Sequence, residues 1–276
     1  MQSEEKYQIC VASLKEFVAQ TGFSAVVIGL SGGIDSALAA TMCVDALGSK
    51  QVYGVLLPGP YSSLHSIEDA LALAQNTGIE TVTVPITKPY EAFEQALENA
   101  EDFGSNGKIL HGLAAENVQA RCRMIVIMAL ANSRGWLMVN TGNKSESMMG
   151  YSTLYGDSAG AFAPLGGIYK TDVYALAAFR NKQALCEGKT PPIPANTLTK
   201  APSAELSPEQ NDELALGISY ENLDRILMAL VERKESAAQV AQEGFSLAEV
   251  KRIERIVKSQ AFKRALEPPF PQAAFY

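Results

Sequence analysis

Histidine is the scarcest chemistry-bearing residue in this chain: only His65 and His111 occur in 276 residues. Two isolated histidines argue against both a Ser-His-Asp triad and a zinc site. Cysteine is nearly as sparse. Cys10, Cys43, Cys122 and Cys186 form no CxxC pair and no metal-ligand spacing, so they read as thiols of a reducing, cytoplasmic compartment. No Lys/Arg-rich block exists and the formal net charge is -7, which speaks against a nucleic-acid partner, since that would need a basic face. The longest strongly apolar stretch, Met124 to Ala131, is far short of a membrane span. The amino-terminal MQSEEKYQIC is acidic and polar, unlike a signal peptide. Chemistry must therefore run mainly on carboxylates, lysines, hydroxyls and backbone groups.

What is present is an alternation. Its length suits one large α/β domain or two small ones. Residues 3–20 read as an amphipathic helix with Ser3 as N-cap. SAVVIGL, Ser24 to Leu30, is a β-branched run expected to form a strand buried on both faces. A helix over 35–47 follows, then the strand VYGVLLP, the helix SIEDALALAQNTG, the strand ETVTVPI, a helix over 89–103 and the loop GSNGKILHG. A long helix from Glu116 to Arg134 and the strand WLMVNT complete the pattern. Such alternation predicts a doubly wound, Rossmann-like parallel sheet covered on both faces. Residues 143–169 and 187–217 lack periodicity and read as irregular segments with the character of lids. Three helices near 220–233, 235–243 and 246–259 should follow. The whole of 1–276 reads as one domain, with 187–276 an irregular connection plus a helical region.

GLSGGIDSALAA, Gly29 to Ala40, carries the chemistry. A glycine-rich turn after a parallel strand lies at the carboxyl edge of the sheet, where open α/β folds bind ligands. The next helix points unpaired N–H groups and its positive dipole end at the same place, and phosphate is the natural guest. The loop is not of the Walker type, because the Gly-Lys-Ser/Thr ending is missing. Asp35 stands where the anion should go. A carboxylate beside a polyphosphate calls for a cation between them, and Mg²⁺ fits. A plain strand-to-helix turn with Asp35 as a cap remains the competing reading of these residues alone.

Ser-Gly-Gly-Xaa-Asp-Ser after a first strand resembles the pyrophosphate loop of the ATP pyrophosphatases, and most of the chain resembles the NAD synthetases among them. LPGPYSS, ENVQARCRM, TGNKSE, GYSTLYGDSAGAFAPL, YKTDVYALA and PSAEL match in the family's order. GYSTLYGD looks specific to the synthetase domain of the glutamine-dependent enzymes, in which an amidase domain precedes this region. The resemblance implies an adenine nucleotide alpha hydrolase-like fold and a C–N ligase. Deamido-NAD would be adenylated by ATP and then amidated by ammonia, with AMP and pyrophosphate released. Neither step needs a protein nucleophile; positioning and charge neutralisation suffice.

Carried over residue by residue, the resemblance puts ATP on Gly29, Leu30, Ser31, Gly32, Gly33, Ile34, Asp35, Ser36, Thr141, Lys170 and Ser203. It puts Mg²⁺ on Asp35 and Glu146, and deamido-NAD on Arg121, Glu146 and Lys263. Lys170 would stabilise the α-phosphate, and Asp157 would orient the incoming ammonia. Lys144 is a weaker phosphate candidate. Leu154 and Ala161 stand where the ammonia-dependent branch has a lysine and an aspartate. The resemblance also implies a homodimer. The chain begins about 30 residues before its phosphate loop, so free ammonia, or a separate amidase chain, is the expected nitrogen source. A GMP synthetase-type amidating domain, a tRNA-thiolating enzyme and a nucleotide-binding regulatory protein without catalysis are the alternatives.

Overall fold

The computed structural model describes residues 1–98, 110–208 and 210–276. Four parallel strands among the described residues form one sheet in the order β3-β2-β1-β4. They are β1 (Val26–Gly29), β2 (Val52–Leu56), β3 (Glu80–Thr83) and β4 (Leu137–Val139). Val26 pairs with Val52 on one side and Leu137 on the other, so β1 is central. Its side chains alternate between two cores, as a strand's must. Val26 and Ile28 pack toward α1 (Ser3–Thr21), α2 (Ile34–Leu47) and the later α7 (Lys170–Cys186). Val27 packs toward α5 (Gly112–Arg134) on the opposite face. The expected doubly covered sheet is therefore what forms. β3 and β4 are its edges, and all four residues of β3 are exposed.

Several boundaries differ from the sequence reading. The first helix is preceded by Gln2, which makes no side-chain cap, so Ser3 is not the N-cap. α3 (Leu64–Thr77) starts with Ser63 as its cap. α4 runs Thr87–Glu98 within the described residues; the expected helical positions 99–103 and the loop positions 104–109 lie outside them. α5 begins four residues before Glu116, and much of it is only half-buried. The irregular segment 143–169 holds α6 (Lys144–Met149), and 187–217 holds α8 (Ala195–Thr199) and α9 (Asp212–Leu216). These helices are too short for periodicity to betray them.

Beyond them lies a second core. α10 (Tyr220–Leu227) continues into a π-helical turn, Met228–Glu232, followed by α11 (Ala237–Ala241), α12 (Leu247–Ser259) and α13 (Ala261–Arg264). Leu223, Ile226, Leu227, Val240, Val250 and Ile253 are fully buried there. Tyr169 and Met149 join this cluster, so the end of α6 and the start of α7 pack on the second core. No helix among the described residues is long and apolar enough to cross a membrane.

Candidate active site

A cavity of about 520 Å³ opens at the carboxyl edge of the sheet, between β1, α5, α6 and residues 200–206. Its floor is the glycine loop. Leu30 N donates to Val55 O and so extends the strand by one residue. Gly32 then turns with φ +77°, and a Cβ there would lie 2.1 Å from the Ser66 carbonyl oxygen. Only glycine fits that approach. The Ser31 and Ser36 hydroxyls lie 3.0 Å apart, and Gly33 N donates to Ser31 Oγ at 3.2 Å. Asp35 follows in the first turn of α2. Gly29, Leu30, Ser31, Gly33, Ile34, Asp35 and Ser36 all line the cavity.

The opposite wall is charged. Asn143 caps α6 by accepting from Glu146 N at 3.0 Å, and its amide donates to Asp35 Oδ1 at 2.8 Å. One side chain thus ties the Asp35 carboxylate to the backbone of Glu146 at the start of α6. Lys170 opens α7, and its Nζ donates to Asp35 Oδ2 at 2.5 Å and to Glu146 Oε1 at 3.1 Å. Its side chain is 3% exposed. Burial alone would lower the Lys170 pKa, but Asp35 and Glu146, with Tyr220, hold it well above the ordinary lysine value. Burial pushes Glu146 up to about 7 against the pull of Lys170, and the nearby Asp35 adds to the rise. The ammonium keeps two carboxylates close together in a half-dry site.

That arrangement fits a divalent cation. Two carboxylates from the first turns of α2 and α6 converge on one positive charge, beside the glycine loop of residues 31–36. Mg²⁺ typically takes one or two carboxylates and fills its remaining positions with phosphate oxygens and water. Among the described residues no group of three or more His, Cys, Asp or Glu is assembled; Asp35 and Glu146 are the two carboxylates that meet at Lys170.

The remaining sequence candidates divide. Thr141, Ser203, Asp157 and Lys263 line the same cavity. Ser203 Oγ is turned into its own loop, donating to Gln210 O at 2.6 Å. Asp157 accepts from Thr153 N at 2.6 Å; burial raises its pKa while that bond opposes the rise. Lys263 Nζ donates to the Gly150 and Ser152 carbonyls at 2.7 and 2.6 Å, and burial lowers its pKa. Arg121 does not line the cavity: its Nε donates to Leu154 O at 3.2 Å. Lys144 also faces away, pairing with Glu232 at 2.6 Å over the Tyr169 ring. Ala161 packs against the main core.

Sequence reasoning missed other lining groups. Arg123, two positions past Arg121, brings its guanidinium to Leu57 O at 3.0 Å. Burial lowers its pKa, opposed by Asp157 and Glu205. Glu205 crosses to the start of α3 and accepts from Ser63 N, Ser63 Oγ and Ser66 Oγ at 3.0, 2.8 and 2.7 Å. Asn143 could have been found, since Asn-Lys-Ser-Glu carries the spacing of a capped helix start. Arg123 and Glu205 had no comparable local signal.

The chain is similar to known proteins along nearly its whole length. The NAD synthase family profile matches residues 6–267. A glutamine-dependent NAD(+) synthetase of Synechocystis is 42% identical over 267 residues, covering 97% of this chain and 46% of its own. An NMN synthetase of Francisella tularensis superposes with TM-score 0.77 and 29% identity, covering 96% of both chains. An NH3-dependent NAD synthetase of Campylobacter jejuni superposes with TM-score 0.72 and 28% identity, covering 95% of this chain and 96% of its own. The chain spans about half the length of the curated relatives it matches.

Proposed function

The chain belongs to the NAD synthase family, and we propose that it amidates deamido-NAD with ammonia through an acyl-adenylate, consuming ATP and releasing pyrophosphate and AMP. The observation that carries this reading is Lys170 bridging Asp35 and Glu146 directly beside the Ser31–Ser36 loop. A nicotinate carboxylate is a poor electrophile, so it must first become a better one. Its oxygen attacks the α-phosphorus of ATP and pyrophosphate departs. Ammonia then adds to the acyl carbon, gives up protons to solvent or a carboxylate, and AMP leaves.

The loop backbone and the hydroxyls of Ser31 and Ser36 cradle the departing pyrophosphate. Asp35 and Glu146 would hold Mg²⁺, which supplies positive charge to the phosphate oxygens. Lys170 presents its ammonium where negative charge grows on the α-phosphate. Thr141 and Ser203 sit on the ATP side. Lys263 and Glu146 serve the dinucleotide side, and Asp157 lies on the path of the amine. Arg121, outside the cavity, would reach the dinucleotide only from a partner's side of a homodimer.

A second reading has specific support. The Francisella neighbour is named an NMN synthetase and matches over nearly its full length, so nicotinate mononucleotide is the rival substrate. The test uses the purified chain with ATP and Mg²⁺, and with deamido-NAD or nicotinate mononucleotide. Ammonium or glutamine is given as sole nitrogen source. AMP and NAD formed in equal amounts with ammonium support the proposal. Product from the mononucleotide alone supports the rival. Turnover with glutamine alone would overturn free ammonia as the donor, and no AMP in any arm would leave a binding protein.

A further inference from the structure

Lys170 lies at the least favourable place for a lysine, the positive end of a helix. The first backbone N–H groups of that helix have no partner within it. Three remote side chains supply them in succession. Tyr169 N donates to the Tyr276 hydroxyl at 3.0 Å, Lys170 N to Ser145 Oγ at 2.8 Å, and Thr171 N to Asp224 Oδ2 at 2.8 Å. Ser145 is itself a donor: its hydroxyl reaches Asp224 Oδ1 at 2.5 Å. Ser145 is 0% exposed and Asp224 is 1% exposed. Asp224 touches neither the cavity nor the two carboxylates that line it.

We propose that Asp224 is a positioning residue for catalysis, one buried carboxylate that fixes α6 and α7 relative to each other and so sets Glu146 against Lys170. One oxygen holds α6 through Ser145, the residue next to Glu146. The other holds α7 through Thr171, the residue next to Lys170. Asp224 comes from α10, in the second core, so the charged wall of the cavity is held from a different part of the molecule than its glycine floor. The carboxylate also sits at a helix start, where negative charge offsets the dipole that Lys170 opposes. Neutral replacement leaves one helix without its acceptor, and shifts of an ångström in a reacting group are costly to rate.

This inference rests on the proposed adenylation, and its experiment separates the two. The parent, Asp224→Asn and Ser145→Ala are compared for pyrophosphate release, chemical denaturation and amide exchange. Asn181→Ala serves as a control, because Asn181 ties the other end of α7 to Ile193 and lies outside the site. Asp224→Asn should lower kcat on the order of 10- to 100-fold, while KM for ATP moves less than about threefold. Ser145→Ala should act in the same direction and add little to Asp224→Asn, since both act through one path. Exchange at residues 170–173 should quicken. Asn181→Ala should lose comparable stability without the loss in kcat.

An unchanged kcat in Asp224→Asn overturns the proposal, as does a loss that merely follows stability in the way Asn181→Ala does. If Asp224→Asn does not fold, Ser145→Ala carries the test, because it keeps the carboxylate and the Thr171 bond. If the parent forms no AMP, the functional reading has failed. Positioning is then judged by exchange at 170–173 and by the reactivity of the Lys170 amine, and unchanged values for both overturn it.

Discussion

The two walls of the cavity are built by opposite means. In the glycine wall, Ser31, Gly33 and Ser36 find their partners within five residues of chain. In the charged wall, Asp35, Asn143, Ser145 and Lys170 meet across separations of 25 to 135 residues. The hydrogen bonds within the first wall are local, though Leu30 and Gly32 rest on Val55 and Ser66; the second exists only once the whole chain has packed. Damage to the local wall should weaken nucleotide binding. Damage to the assembled wall should fall on rate and on stability together.

The sharpest way to break that contrast is Lys170→Ala. It should lower kcat for adenylation about 10²–10³-fold with a smaller effect on ATP binding. Two carboxylates lose their shared counter-charge, so a loss of about 3–5 kcal/mol is expected in urea denaturation. Added Mg²⁺ should restore more stability to this variant than to the parent. Unchanged kcat with only a raised KM would move Lys170 to the binding wall.

Asp35→Asn and Glu146→Gln come next, each costing about 100-fold in pyrophosphate release at saturating Mg²⁺, or nearly 3 kcal/mol of barrier. Near-normal release in both would remove the cation clamp. Glu146 adds a pH signature. Its pKa rises from 4.5 unfolded to about 7 folded, so the folded protein holds this proton more tightly. That stabilisation is complete below about pH 4.5 and is lost as pH climbs through about 7; a shift of this size corresponds to roughly 3 kcal/mol. Metal-free denaturation at about pH 5 and about pH 8 should show the fall in the parent and a flatter response in Glu146→Gln.

In the local wall, Gly32→Ala forces a side chain into a left-handed turn and onto the Ser66 carbonyl. It should cost about 1–3 kcal/mol and raise KM for ATP more than it lowers kcat. A dominant kcat defect would contradict the division. The smallest effect is expected at Glu205, whose bonds to Ser63 and Ser66 tie the stretch 200–206 to the start of α3. Glu205→Gln should cost about 1 kcal/mol and speed amide exchange in 200–208, with ATP reversing part of the gain. Equal exchange with and without nucleotide would count against a closing strap.

The same contrast explains what the sequence made legible. β1, the glycine loop and α2 were readable because a β-branched run, Gly32 and the helix after it are adjacent. Asp35, Glu146 and Lys170 were readable through matching motifs, and the fold brings all three together. Arg121 matched as well as they did, yet its guanidinium turns to Leu154 and Arg123 takes the cavity side; the two differ only in helical phase. The short helices α8 and α9 gave no periodic signal. Asp224 was hidden because its meaning depends on Ser145 and Thr171, 79 and 53 residues away.

The π-helical turn has a consequence of its own. Asp224 and Glu232 both reach the starts of α6 and α7, Glu232 through Lys144 and the Tyr169 hydroxyl. An ordinary helix advances about 100° per residue, so residues eight apart would diverge by about 80°. Here Arg233 N bonds back five residues to Met228 O, and the wider winding absorbs one residue with little rotation. The two acids return to nearly the same azimuth. The turn acts as a vernier, resetting the angular register of a helix between two points of attachment. Removing one residue from 228–231 would restore ordinary winding and keep the alignment, whereas adding one would swing Glu232 away. This stretch should therefore accept shortening more readily than lengthening, the reverse of what surface loops do.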